Sequence, residues 1–159
     1  TSHERLSQGA VILDGSETAA VQYAPCCRPV PGDSIVGYLG RGEGLVVHTS
    51  GCAVAARLKH RDSERFIAVD WADEPVRQFE TGLVVTVTNR KGVLARVAAD
   101  LAQSEVDITK VDMGEEDQQD TTDLRFVISV RDTAHLDAAL RNLKRTPSVL
   151  RAQRITPHA

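Results

Sequence analysis

Four side chains able to hold a soft cation stand in the first third of the chain: Cys26, Cys27, His48 and Cys52. Two thiols are adjacent, twenty residues separate Cys27 from His48, and His48 and Cys52 are spaced H-x-x-x-C. Thiolate and imidazole together suit Zn²⁺, which accepts both in a tetrahedron. The H-x-x-x-C spacing predicts that His48 and Cys52 sit one turn apart where a helix begins. A second reading stands beside the metal: Cys27 and Cys52 as small buried hydrophobes, with His48 at a strand end. A redox role is the weaker reading, because a disulfide between adjacent cysteines is strained. Three cysteines, odd in number and sparse, do not make the framework of a secreted disulfide-stapled domain.

The second set is Asn89-Arg90-Lys91-Gly92-Val93-Leu94, which joins a strand to a helix. Gly92 lets backbone come close to a ligand, and N–H groups at a helix start favour a carboxylate or phosphate. A loop of this shape suits the carboxylate of a free amino acid; the plain alternative is a tight turn with Arg90 and Lys91 solvated. His60 and Arg61 read as solvated loop residues, and Glu115-Glu116-Asp117 as a solvated hairpin tip. From Ala138 to Ala159 there are five basic residues and no acid, which suits phosphates but also the end of a helix. There is no Ser-His-Asp set, no Walker loop, no H-E-x-x-H and no paired carboxylates placed for acid–base work. The expectation is a chain that is not an enzyme.

These residues need elements to position them. In the first half, Val21 to Tyr23, Ile35 to Leu39, Leu45 to Val47 and Phe66 to Trp71 read as strands. Cys26 to Asp33 reads as a loop stiffened by Pro29 and Pro31; Gly40 to Gly44 reads as a hairpin turn. A short Ala-rich helix is expected from about Cys52 to Lys59. In the second half Leu83 to Thr88 is a strand, and Val93, Leu94, Val97 and Leu101 fall at helical spacing. Val106 to Met113 is a strand, and Gly114 to Asp123 an acidic turn. Leu124, Phe126, Ile128 and Val130 alternate with polar residues as a half-buried strand. Leu136, Ala139, Leu140 and Leu143 mark a second helix ending before Pro147, and Val149 to Ile155 a last strand. The order βαββαβ predicts a ferredoxin-like sandwich, two helices on one face of a four-stranded sheet. The fold class is α+β, a small β-rich domain followed by that sandwich. Boundaries are expected at 1–9 for a leading segment, 10–74 for the first domain, 75–81 for a linker and 82–157 for the second domain.

Composition narrows the partners. The 159 residues are 42% hydrophobic, enough for a buried core, and carry a formal charge of −3. That charge argues against binding nucleic acid through bulk electrostatics, and 4% aromatics against a stacking surface. No apolar run approaches the ~20 residues of a membrane span, and residues 1–8 lack a signal-peptide layout. A soluble cytoplasmic protein is expected.

At Tyr23-Ala24-Pro25-Cys26-Cys27-Arg28-Pro29-Val30-Pro31-Gly32-Asp33 the chain resembles the C-terminal regulatory part of the RelA/SpoT (p)ppGpp synthetase/hydrolases, of the bifunctional SpoT or Rel type. The likeness continues through Ile35-Val36-Gly37-Tyr38, Gly42 to His48, Cys52 and Phe66 to Trp71. Asn89 to Ala95, Val106-Asp107-Ile108 and Pro147 to Leu150 resemble that family's ACT domain. The resemblance implies a RIS, or zinc-finger, module followed by an ACT domain, regulating catalytic domains without itself performing catalysis. It implies a structural zinc on Cys26, Cys27, His48 and Cys52. It further implies an amino-acid pocket, branched-chain in preference (Val, Ile or Leu), built from Asn89, Arg90, Gly92, Val93 and Leu94, with Asp107, Ile108 and Thr109 on a facing strand. The implied partners are that amino acid, the catalytic domains of the same protein and a second copy through the ACT domains. The competing implication is contact with ribosomal RNA through Arg28, Arg41, Lys59, Arg61 and the basic C-terminal segment. Against that reading stands the shortage of aromatics, only Phe126 lying on the third strand, where the related RRM fold stacks bases.

Overall fold

The computed structural model describes residues 10–17, 20–113 and 120–155. The described residues divide into two compact units, the first up to residue 79 and the second from 80 to 155. The expected 1–9 segment, the acidic tip at Glu115 to Asp117 and the extreme C-terminus lie outside the described residues.

The first unit holds β1 (Val11–Leu13), β2 (Val21–Tyr23), β3 (Ile35–Leu39), β4 (Leu45–Thr49), α1 (Ala53–Arg61), β5 (Phe66–Ile67) and β6 (Val69–Trp71). Strands β2, β4, β3 and β5 form one sheet in that order. β2 runs parallel to β4, and β3 is antiparallel to both β4 and β5. The Phe66 to Trp71 stretch is not one strand. It breaks at Ala68, and β6 leaves the sheet to pair in parallel with β1, Val11 opposite Val69. β1 is a strand that the residue pattern does not announce.

The β3–β4 hairpin closes as its glycines imply, Gly40 N–H donating to the Gly44 carbonyl at 2.8 Å. Arg65 clamps it from outside, its guanidinium donating to the carbonyls of Leu39 and Gly40. The loop after β2 is held at both ends. Arg28 N–H donates to the Ala24 carbonyl at 2.8 Å, and Arg28 itself takes a left-handed φ of +46° before Pro29. Asp33 carboxylate accepts from Val30 N–H at 2.8 Å, and Trp71 indole N–H donates to the Asp33 carbonyl at 3.0 Å. Trp71 stacks on Tyr23 and meets Phe79 edge-on, with the Arg77 guanidinium 4.5 Å from the Phe79 ring centre.

The second unit is the sandwich that periodicity predicts: β7 (Phe79–Thr88), α2 (Val93–Gln103), β8 (Asp107–Met113), β9 (Thr121–Val130), α3 (Thr133–Lys144) and β10 (Val149–Arg154). Strand order is β10-β7-β9-β8, so β9 lies between β7 and β8. β7 begins at Phe79, inside the 75–81 stretch expected as a linker. Leu83, Val85, Val87, Leu124, Phe126, Ile128 and Val130 are buried, as are Val93, Val97 and Leu101 of α2 and Leu136, Ala139 and Leu143 of α3. At ~25 cal/mol per Å², each of the larger side chains among these contributes about 1.5–3 kcal/mol relative to exposure. A polar network joins α2 to α3. His135 Nδ1 accepts from Arg131 N–H at 3.0 Å, which leaves Nε2–H to donate to the Ser104 carbonyl at 2.8 Å. Asn142 donates to the Asp100 carbonyl and Ser104 hydroxyl, and Thr146 hydroxyl donates to the Asp100 carboxylate.

Gly44 and Gly42 both take positive φ, +77° and +98°. A Cβ on Gly44 would lie 2.6 Å from the Ala20 carbonyl oxygen, which accepts from Leu45 N–H beside the β2–β4 pairing, whereas one on Gly42 meets nothing within 4 Å. Gly42→Ala is expected to cost about 1–2 kcal/mol from backbone strain alone, and Gly44→Ala clearly more. Denaturant unfolding followed by the single Trp71 checks this; equal losses would show that the Ala20 contact yields without cost.

Candidate metal centre and ligand loop

Three local structures converge on one point in the first unit. The turn after β2 presents Cys26 and Cys27, the end of β4 presents His48, and the start of α1 presents Cys52 as its N-cap residue. The expectation that His48 and Cys52 lie one turn apart on a helix is corrected. His48 belongs to the strand, and the four-residue spacing spans a strand end, a turn closed by Cys52 N–H to the Thr49 carbonyl, and a helix start.

The four donor atoms all lie within 4.8 Å of one another. Cys26 Sγ is 4.0 Å from Cys27 Sγ, 3.6 Å from Cys52 Sγ and 3.5 Å from His48 Nδ1, and Cys27 Sγ is 3.8 Å from His48 Nδ1. With metal–sulfur bonds of ~2.3 Å and metal–nitrogen bonds of ~2.0 Å, a regular tetrahedron has edges of about 3.5–3.8 Å. The spacing therefore fits a tetrahedral ion on three thiolates and one imidazole. Cys27, Cys52 and His48 are buried and Cys26 is exposed. The floor is Ala24 and Ala55, flanked by Val36, Val46 and Val54. The packing reading and the metal reading thus describe the same residues: small buried thiols whose sulfurs share one point.

Electrostatics differ among the donors. Burial pushes the Cys26 thiol up to about 12, with Cys52 and Cys27 adding to the rise. Burial also raises Cys27, against Thr49 N–H, which donates to its sulfur at 3.3 Å. Burial would raise Cys52 as well, yet N–H groups of Ala55 and Val54 at the head of α1 and the neighbouring thiols hold it below its usual value. Burial depresses His48, which keeps the imidazole neutral and able to ligate.

In the second unit the loop set lies at the end of β7. Asn89 N–H donates to the Asp120 carbonyl at 2.8 Å, next to the start of β9. Gly92 takes φ +83° as N-cap of α2, with no side-chain cap and nothing within 4 Å of its Cβ position. Arg90 is exposed, Leu94 half-buried, and the Val93 side chain is buried in the core. Asp107, Ile108 and Thr109 lie elsewhere. Asp107 pairs with Ser129 and Ile108 with Ile128, at the far end of β9, and Thr109 hydroxyl donates to the Val127 carbonyl at 3.1 Å. Eight residues of β9 separate the two sets, about 26 Å at ~3.3 Å per residue. One chain does not bring them together.

Phe126 lends nothing to RNA contact. It is 1% exposed, buried with Leu124 and Ile128, and offers no ring for a base to stack on. Arg41, Lys59 and Arg61 are exposed, as are Arg145 and Arg151. Among the described residues no helix is long and apolar enough to cross a membrane.

Comparison with known proteins respects the same division. The sequence profile of the RelA/SpoT RIS domain matches residues 11–72, and that of an ACT domain matches residues 75–154. The chain is 30% identical over 149 residues to the bifunctional (p)ppGpp synthase/hydrolase SpoT of Escherichia coli K12, covering 93% of this chain and 21% of that protein. It is 26% identical over 155 residues to the GTP pyrophosphokinase of Photobacterium angustum, covering 98% of this chain and 21% of that one. Among solved structures it resembles the ACT domain of the Chlorobium tepidum GTP pyrophosphokinase, with TM-score 0.43 and 14% identity over 49% of this chain and 99% of that domain. The chain spans about a fifth of the length of the curated relatives it matches.

Because an ion must displace protons from the raised Cys26 and Cys27 thiols while His48 stays neutral, affinity should rise with pH. The chelator concentration that strips half the bound zinc is expected to fall as pH drops from about 8 to 6. A flat profile would mean that the thiols do not ligate.

Proposed function

The chain belongs to the RelA/SpoT family, a RIS domain followed by an ACT domain, and we propose that it regulates (p)ppGpp synthesis and hydrolysis by sensing a free amino acid. The matched segments are the RIS and ACT domains, and they account for nearly all of the 159 residues; the chemistry belongs to catalytic domains elsewhere in such proteins, in the cytoplasm. The observation that carries the reading is the β7–α2 loop. Gly92 opens the head of α2 without a side-chain cap; Val93 N–H turns back to the Arg90 carbonyl, and the remaining first-turn N–H groups of such a helix start stabilise a carboxylate.

The separation of Asp107, Ile108 and Thr109 from that loop supports a dimer. β8 is an edge strand, and Asp107, Thr109, Lys110, Val111, Asp112 and Met113 along it are exposed. If two copies pair antiparallel along β8, Asp107 of one faces Met113 of the other, at the end where the β7–α2 loop stands. Each ligand site then takes Asn89, Arg90, Gly92 and Leu94 from one copy and Asp107, Ile108 and Thr109 from its partner, with Val93 fixing the loop from below. Backbone donors hold the carboxylate, Asp107 the ammonium, and apolar groups the Val, Ile or Leu side chain. Cys26, Cys27, His48 and Cys52 hold a structural Zn²⁺, which ties together the loop after β2, the end of β4 and the head of α1.

Calorimetric titration with valine, isoleucine and leucine, with glycine and lysine as controls, tests the sensor. Saturable binding is expected for the branched set, weakened about tenfold or more in Asn89→Ala (at least ~1.4 kcal/mol). Sedimentation should show dimers that dissociate when Val111 is replaced by Pro, since an edge strand needs its N–H groups to pair. Heat-silent titrations, together with salt-dependent pelleting on ribosomes through exposed Arg41, Lys59 and Arg61, would instead make the chain an rRNA-contact module.

A further inference from the structure

The four donors of the metal centre do not share one environment. Cys26 is exposed while Cys27 and Cys52 are buried. A cavity of about 440 Å³ opens on that side, and Cys26 and His48 form part of its wall with Tyr38, Arg41, Val54 and Arg61. A small polar reagent entering there meets the Cys26 sulfur before the other two.

Two thiols lie behind Cys26, and they are not equivalent partners for it. Cys52 Sγ stands 3.6 Å away and belongs to a distant part of the chain. Cys27 Sγ is farther, at 4.0 Å, takes a hydrogen bond from Thr49 N–H, and is the adjacent residue, so closure on it strains the intervening peptide. A disulfide needs ~2.05 Å between sulfurs. Cys52 is thus the nearer and less strained partner.

We propose that Cys26 is an oxidation site for hydroperoxides, that Cys52 resolves it, and that the resulting disulfide expels the bound cation. The Cys26 sulfur, which gives up its proton when it holds the cation, attacks one peroxide oxygen; the O–O bond breaks, and the departing oxygen leaves as hydroxide or alkoxide and is protonated. Cys26 becomes a sulfenic acid, two electrons having passed to the peroxide. The Cys52 thiolate then attacks the Cys26 sulfur, an S–S bond forms, the S–O bond breaks, and hydroxide leaves as water after protonation. Two thiols and one hydroperoxide give one disulfide, one water and one further water or alcohol. Cys27 and His48 remain, two donors where a structural site needs four.

This rests on reading the cluster as a metal site, and the experiment separates the two. The chain is loaded with zinc, its metal content measured, and hydrogen peroxide added in the presence of a chromogenic chelator; cysteine pairing is then mapped by mass spectrometry of unreduced peptides. The expected result is release of about one zinc per chain with a Cys26–Cys52 cross-link, and recovery of zinc uptake to within about twofold after dithiothreitol. A chain holding no zinc before peroxide refutes the metal reading and this proposal with it. A loaded chain that keeps its zinc, pairs Cys26 with Cys27, pairs between chains, or stops at sulfinic acid refutes this proposal alone.

Discussion

The first unit is organised around the withdrawal of polar donors from water at a single point. Two buried thiols, one exposed thiol and one buried imidazole converge over a floor of alanine and valine. Such groups are costly to bury unless they find partners, and here the partners are one another. That constraint accounts for features which local propensity alone would not select. Arg28 adopts left-handed backbone to turn the chain back after Cys27, and α1 begins with cysteine in place of the usual Ser, Thr or Asp cap. β2, only three residues long, lies parallel to β4 so that the turn it feeds ends beside His48.

The second unit needs no such point. Its stability rests on a continuous apolar layer between one face of the sheet and two helices, with a polar network tying the helices to each other. The contrast fits the division of labour expected in a two-domain regulator. One unit owes its shape to a few donor atoms, while the other is shaped by packing and leaves the β7–α2 loop and the edge strand β8 exposed. The two predicted parts of the amino-acid site stand at opposite ends of β9, which turns a question about a pocket into one about assembly.

Much of this is legible in the residues. Alternation from Leu124 to Val130 and helical spacing from Val93 to Leu101 identify their elements, because one-sided burial imposes those periods. β1 is not legible, because three apolar residues carry no periodic signal and their partner, β6, lies more than fifty residues away. The break at Ala68 is hidden because the two short strands read as one apolar run although they pair with different partners. The four metal-ligating candidates are identifiable by type, but H-x-x-x-C is compatible with one helical turn and with a strand–turn–helix path alike. Phe126 is instructive, since the alternation that identifies its strand also puts it on the face of Leu124 and Ile128, the buried one. Separation of Asp107 from Asn89 comes from strand order and direction, which residue spacing does not encode.

The network between α2 and α3 has a dynamic corollary. His135 spends both ring nitrogens on backbone groups of different segments, and Asp100 and Ser104, in and just after α2, are tied to Asn142 and Thr146, in and just after α3. Fraying one helix strips partners from the other, so the pair opens as a single cooperative block. Amide protons along α2 and α3 should then exchange with solvent through one shared event.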